Sequence, residues 1–234
     1  AEKSAFDTDE RVTNSDGASL ASYQGFKVYG NSNGFIEGYP SSRHSLSCSV
    51  IAQSEEEMQR DYAYTVNREF GKLDNAQAVG SKAANAAVAR LNAHKLDTCQ
   101  VPVLFDAEVS SSLFGHLVGA ISGGSLYRKS SFLLDSLGKQ IFPEFVTIEE
   151  RPHLLKALAS SPLDSEGVVT RDRNIIEAGV LTTYLLTGYS GRKLGMETTG
   201  HAGGIHNWLI KATDSGQQAL LKKMGTGLLV TELM

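Results

Sequence analysis

The 234-residue chain is 41% hydrophobic and carries 22 Lys and Arg against 26 Asp and Glu, a formal net charge of −4. That length holds one large domain or two modest ones with a real core, and the scattered basic residues leave no electrostatic footprint for nucleic acid. No apolar run approaches the roughly 18 residues of a membrane span, and the charged start lacks the apolar block of a signal peptide, so a cytoplasmic protein is expected.

Val12 to Ala18 contains the turn signal Asn14-Ser15-Asp16-Gly17, and Gly30 to Gly34 punctuates a second turn after the alternation of Phe26 and Val28 with Lys27 and Tyr29. Leu46, Cys48, Val50 and Ala52 recur at period two against Ser45, Ser47 and Ser49, the pattern of a half-buried strand. After an acidic link, Ser54 to Glu57, the same alternation returns in Tyr62, Tyr64 and Val66. About four antiparallel strands are expected, since neighbours joined by short turns usually pair. The two tyrosines read as core or cross-strand packing rather than as a stacking platform for bases, because no basic residues interleave them. Arg43 and His44 read as a solvated edge.

Asp74 is a candidate N-cap for a helix in which Val79, Ala83, Ala87 and Leu91 step along one face. Small residues there allow close approach to the sheet. The polar break Lys95 to Gln100 places a domain boundary, giving domains 1–97 and 98–234. Cys48 and Cys99 lie far apart, which suits reduced thiols; their pairing is the alternative.

Val101 to Phe105 reads as a strand, followed from Asp106 by a helix with Leu113, Leu117, Val118 and Ile121 on one face and ended by Gly123 and Gly124. Gly124 to Ser130 is not a phosphate loop, because Arg128 stands where a P-loop needs Gly before the Lys. Asp164-Ser165-Glu166-Gly167 is too short for a calcium loop and reads as a turn. Ile175 to Thr187 reads as a hairpin around Glu177-Ala178-Gly179, and Arg192 and Lys193 close a short helix at Gly195. The segment Gly200 to Trp208 has three glycines and two histidines, a loop able to approach a ligand closely. A metal there needs a further ligand that local spacing does not supply. Gln217 to Met224 reads as a helix and Leu228 to Leu233 as a strand. The start without Met and the stop in GLLVTELM read as a piece of a longer protein.

The stretch Asp106 to Ile141 resembles the TldD/TldE family of two-subunit bacterial metalloproteases, whose TldE type is also called PmbA or modulator of DNA gyrase. In catalytic TldD-type chains this helix carries His-Glu-x-x-x-His followed by Gly-x-x-x-Arg. Laid on this sequence, the pattern matches Val118, Gly119, Gly124 and Arg128, but puts Gly115 and Ala120 at the metal histidines and His116 at the glutamate. Glycine and alanine offer no ligand atom, so the resemblance implies the non-catalytic subunit, with no metal of its own.

The resemblance further implies an α+β fold, with a central domain followed by the first part of a β-rich C-terminal domain. It implies a heterodimer with a TldD-like zinc-bearing subunit, with a homodimer as a second assembly, and unfolded peptides as substrates, including peptide-antibiotic precursors and antitoxins. Its substrate groove would include Tyr127, Arg128, His201, Gly203, Gly204, His206 and Asn207, beside Trp208. Two rivals stand beside it: an independent metal hydrolase built from His116, His201 and His206, and a regulatory protein acting on DNA gyrase.

Overall fold

The computed structural model describes residues 1–55, 57–211 and 215–233, so Glu56 of the acidic link and the final Met234 lie outside the described residues. The fold is α+β, in two compact units: Ala1–Asp97 with Lys156–Leu158, and Thr98–Leu155 with Ala159–Met234. Among the described residues, no helix is long and apolar enough to cross a membrane.

The first unit begins with α1 (Glu2–Thr8) and continues into β1 (Val12–Gly30), β2 (Ile36–Gln53) and β3 (Met58–Asn67), an antiparallel sheet in the order β1-β2-β3. Among the described residues three strands form where about four were expected, because Asn14 to Gly17 does not turn the chain. Its register shifts, with Gly17 at φ 107°, are absorbed as bulges within one long strand. Leu46, Cys48, Val50 and Ala52 face helix α2 (Ala76–Ala89), whose Val79, Ala83, Ala84 and Ala87 are buried against them. The small side chains let the helix lie close, and a Cβ on Gly80 would collide with the Ala1 carbonyl oxygen.

Three local expectations are corrected. Asn75, not Asp74, caps α2, its side chain accepting from the Ala78 N–H at 2.7 Å. Tyr62 and Tyr64 are exposed and stack on each other along β3, at 6.3 Å between rings, outside the core. His44 is buried rather than solvated: its Nδ1 is 2.8 Å from Ser22 Oγ, and its ring meets Phe70 edge-on.

The second unit holds β4 (Val103–Phe105), α3 (Ala107–Ala120), α4 (Gly123–Tyr127), β5 (Ile148–Glu150), β6 (Arg173–Glu177), β7 (Val180–Leu181), α5 (Gly188–Leu194), β8 (Trp208–Ile210), α6 (Gln217–Met224) and β9 (Leu228–Val230). The sheet β7-β6-β5-β8 is antiparallel, while β4 and β9 form a separate parallel pair. The helix expected to stop at Gly123 and Gly124 already ends at Ala120, and those glycines instead open α4, capped by Ser122. Ala178 and Gly179, both at positive φ, make the tight turn joining β6 to β7. Ile121, Leu126, Ile148, Ile175, Ile176, Leu181 and Leu186 form the core between the sheet and these helices.

Candidate functional site

Two features of the second unit meet at one histidine. The first is a cavity of about 300 Å³ whose wall includes Val118 of α3, Gly123, Gly124 and Tyr127 of α4, Tyr189 of α5, and His201 and Gly204 of the glycine loop. Its close packing rests on Gly123, where any side chain would collide with Ser190 on α5. Ser190 is held by a reciprocal pair of bonds with the N-cap Thr187, and α5 ends at Gly195 with φ 67°, its last turn carrying Arg192 and Lys193.

The second is a buried polar cluster around Glu150. In β5 the chain alternates Ile148 inward, Glu149 outward and Glu150 inward, so a carboxylate occupies a core position. Its direct neighbours across the sheet are Arg173 on β6 and Trp208 on β8. Glu150 Oε2 lies 2.9 Å from His201 Nε2 and 3.7 Å from Arg173 Nε. Glu150 Oε1 accepts from the His206 backbone N–H at 3.0 Å and from Trp208 Nε1 at 3.3 Å. Burial pushes the Glu150 carboxyl up, but the hydrogen bond and charge of His201 and the hydrogen bond from the His206 backbone outweigh it and hold the group well below the usual carboxylate range. The Arg173 guanidinium is pulled down by its own burial, partly offset by Glu150.

The glycine loop reaches this cluster through backbone shapes that L-residues rarely adopt: Gly200, Gly203 and Gly204 have φ of 75°, 102° and 125°. A Cβ on Gly203 would also collide with Ser165 Oγ. Asp164 is more than a turn residue. Its Oδ1 accepts from the N–H groups of Glu166 and Val168, and its Oδ2 takes the Ala202 N–H at 3.0 Å, which pins the loop.

Of the residues singled out in the sequence, Tyr127, His201 and Gly204 share the cavity. Arg128 is exposed, its guanidinium 5.4 Å from the Tyr127 ring centroid. His206 belongs to the Glu150 cluster. The Asn207 side chain accepts from Ala159 N–H and donates to Arg151 O and Ser160 Oγ, clamping the base of the loop. Gly115 and His116 are exposed on α3, with Ala120 half-buried.

Among the described residues, the one group of His, Cys, Asp or Glu side chains able to converge on a metal is Glu150, His201 and His206, their ligand atoms all within 4.8 Å of one another. His116 takes no part in it. The α3 positions therefore do not fit a zinc ion: Gly115 and Ala120 present no donor, and one exposed imidazole cannot supply the roughly three ligands required. The exposed His116 gives a simple expectation. His116→Ala should change folding stability by no more than about 0.5 kcal/mol in a denaturant titration.

Sequence reading missed Glu150. The signal was available in Val146-x-Ile148-x-Glu150, an acid in phase with apolar residues, but three residues are too few to identify a strand by alternation.

Residues 98–234 match the PmbA/TldA metallopeptidase C-terminal domain, and residues 1–91 match the central domain of the same family. The chain belongs to the PmbA/TldD/TldE family. It is 58% identical to a metalloprotease PmbA homolog of Haemophilus influenzae and 57% identical to metalloprotease PmbA of Escherichia coli O157:H7, in each case over all of this chain and 52% of the relative. The chain thus spans about half the length of these relatives. Among solved structures, a protein described as a modulator of DNA gyrase from Bacteroides thetaiotaomicron superposes with a TM-score of 0.91 at 29% identity, covering 99% of this chain and 52% of that one. TldE from Thermococcus kodakarensis shares the fold, with a TM-score of 0.85 at 21% identity over all of this chain and 55% of that one.

Proposed function

We propose that this chain is part of a TldE/PmbA-type subunit, cytoplasmic and without catalytic zinc ligands, that pairs with a TldD-like zinc-bearing homologue to cleave unfolded peptides. The observation that carries this reading is helix α3. Gly115, His116 and Ala120 occupy the positions where the catalytic type carries its His, Glu and His, and they offer neither a ligand pair nor a carboxylate base. Zinc in the complete assembly would polarise the scissile carbonyl and its water from the partner subunit; this chain would bind and orient the peptide. In this reading residues 1–97 are the family's central domain and 98–234 the first part of its C-terminal domain. A homodimer would be an inactive alternative assembly.

The cavity walled by Val118, Tyr127, His201 and Gly204 would receive a peptide side chain. The exposed backbone of Gly203 and Gly204 could lie against an extended main chain, with Arg128 stacked on Tyr127 as a cationic flank. His206 and Asn207 would hold the loop in place. The names of the relatives support proteolysis as the family task, and peptide-antibiotic precursors and antitoxins fit as small, flexible substrates.

The cavity's part in this reading is tested on the full-length protein mixed with a zinc-motif homologue. Tyr127→Ala should raise KM for a flexible peptide several-fold and leave kcat within about two- to three-fold, the signature of lost uniform binding. An unchanged KM would remove the cavity from the substrate path.

A further inference from the structure

We propose that Glu150, His201 and His206 form a binding site for a first-row divalent transition metal such as Zn²⁺, separate from the α3 positions and structural in role. Two imidazoles and one carboxylate are a donor set that such ions favour, and here the three ligand atoms already lie within 4.8 Å of one another. One further observation points to a ligand. His206 is 93% buried, yet among the described residues its Nδ1 has no hydrogen-bond partner: it stands 3.4 Å from Glu150 Oε1 without forming a bond. A buried imidazole nitrogen left without a hydrogen bond is costly unless something coordinates it.

The surroundings orient each ligand as a metal site requires. His201 Nδ1 lies 2.8 Å from Thr199 Oγ1, which lies 2.9 Å from the Tyr184 carbonyl oxygen. With Nε2 on a metal, Nδ1–H would donate to Thr199 and the hydroxyl would donate onward to Tyr184 O. That relay fixes the ring's tautomer. Glu150 Oε1 is held by the His206 N–H and the Trp208 Nε1–H, which leaves Oε2 to face the imidazole of His201. In the metal-free state His201 Nε2–H donates to that oxygen; a metal on Nε2 would replace this bond, with the neutral ring carrying its one proton on Nδ1 instead. His201 also lines the 300 Å³ cavity, which gives a route of entry. Glu150 is 1% exposed and His201 5%, so the ion would be a buried brace between β5 and the glycine loop rather than a centre that meets substrate. Arg173, 3.7 Å from Oε2, opposes the added charge and moderates the affinity.

The test is titration of the chelator-stripped protein, without partner or substrate, with Co²⁺ followed by visible absorption and with Zn²⁺ followed by calorimetry. One equivalent per chain is expected, with the d–d bands of a low-coordinate site and a rise in Tm. His206→Ala keeps the backbone N–H to Glu150 and should weaken binding at least a hundred-fold, as should His201→Gln, each variant being confirmed folded by circular dichroism. Cys99→Ser and His116→Ala should bind as wild type. No binding, binding that persists in both cluster variants, or binding that is lost with Cys99 or His116 would each overturn the site. Because the readout involves neither peptide nor partner, its failure would leave the proposed subunit role standing.

Discussion

Glu150→Ala should cost about 3–5 kcal/mol of folding stability, the scale seen when one member of a buried charged pair is removed. The carboxylate is 1% exposed, and its loss leaves His201 Nε2–H, the His206 backbone N–H and Trp208 Nε1–H without their acceptor inside the core. Trp208 is the chain's single tryptophan, so its fluorescence in a urea titration reports the change directly. Glu149, one residue away on the opposite face, pairs with Arg151 and Lys211 and should lose far less when replaced by Ala. Equal losses at both positions would show that the cluster is not the keystone of this sheet.

The same carboxylate sets a pH dependence. Its folded pKa is depressed, so its contribution is complete above the ordinary Glu value of about 4.3 and is lost as pH falls toward the lower folded value. In chelator, the stability difference between wild type and Glu150→Ala should therefore be flat from about pH 7 to pH 5 and shrink below about pH 4. A difference that already collapses between pH 7 and 5 would mean that burial, not the two histidines, dominates the group.

Gly123→Val should be the second severe change. The new Cβ would stand 2.5 Å from Ser190 Cβ and 3.0 Å from Leu186 Cδ2, and Ser190 is part of the N-terminal cap of α5. Neither neighbour can retreat without opening the α4–α5 contact, so a loss of about 3 kcal/mol follows from overpacking. Gly124 is the control. A Cβ there meets only the Arg128 guanidinium at 3.5 Å, an ordinary contact, and Gly124→Ala should be neutral or stabilise by up to about 1 kcal/mol through helix propensity. Chemical denaturation of the two variants separates these outcomes. If the pair behaves alike, α4 does not pack on α5 as described.

What was legible in the sequence follows from the length of the periodic signal. Helices α2 and α3 show apolar steps over several turns; α2 buries Val79, Ala83 and Ala87, while α3 buries Leu117 and ends against the buried Ile121, with Leu113 exposed. The turn at Ala178-Gly179 and the Gly195 cap were readable because positive φ restricts residue choice. Asn14 to Gly17 misled for the same reason in reverse: turn residues also suit bulges, and only pairing along the full length of β2 decides which forms. His44 was misjudged because its burial comes from Ser22 and Phe70, neither adjacent in sequence. The glycine loop was recognisable as a loop, but not its partner: Glu150 lies some 50 residues upstream of His201, on a strand too short to announce itself.

The most direct test of the silent-subunit account is peptide cleavage by the full-length protein alone, by a zinc-motif homologue from the same cell alone, and by the two mixed. Cleavage that is absent from the full-length protein and strongest in the mixture, and that stays within a few-fold of wild type when His116 is replaced by Ala, is the predicted result. Robust cleavage by the full-length protein alone would contradict the account and make its own histidines the catalytic candidates.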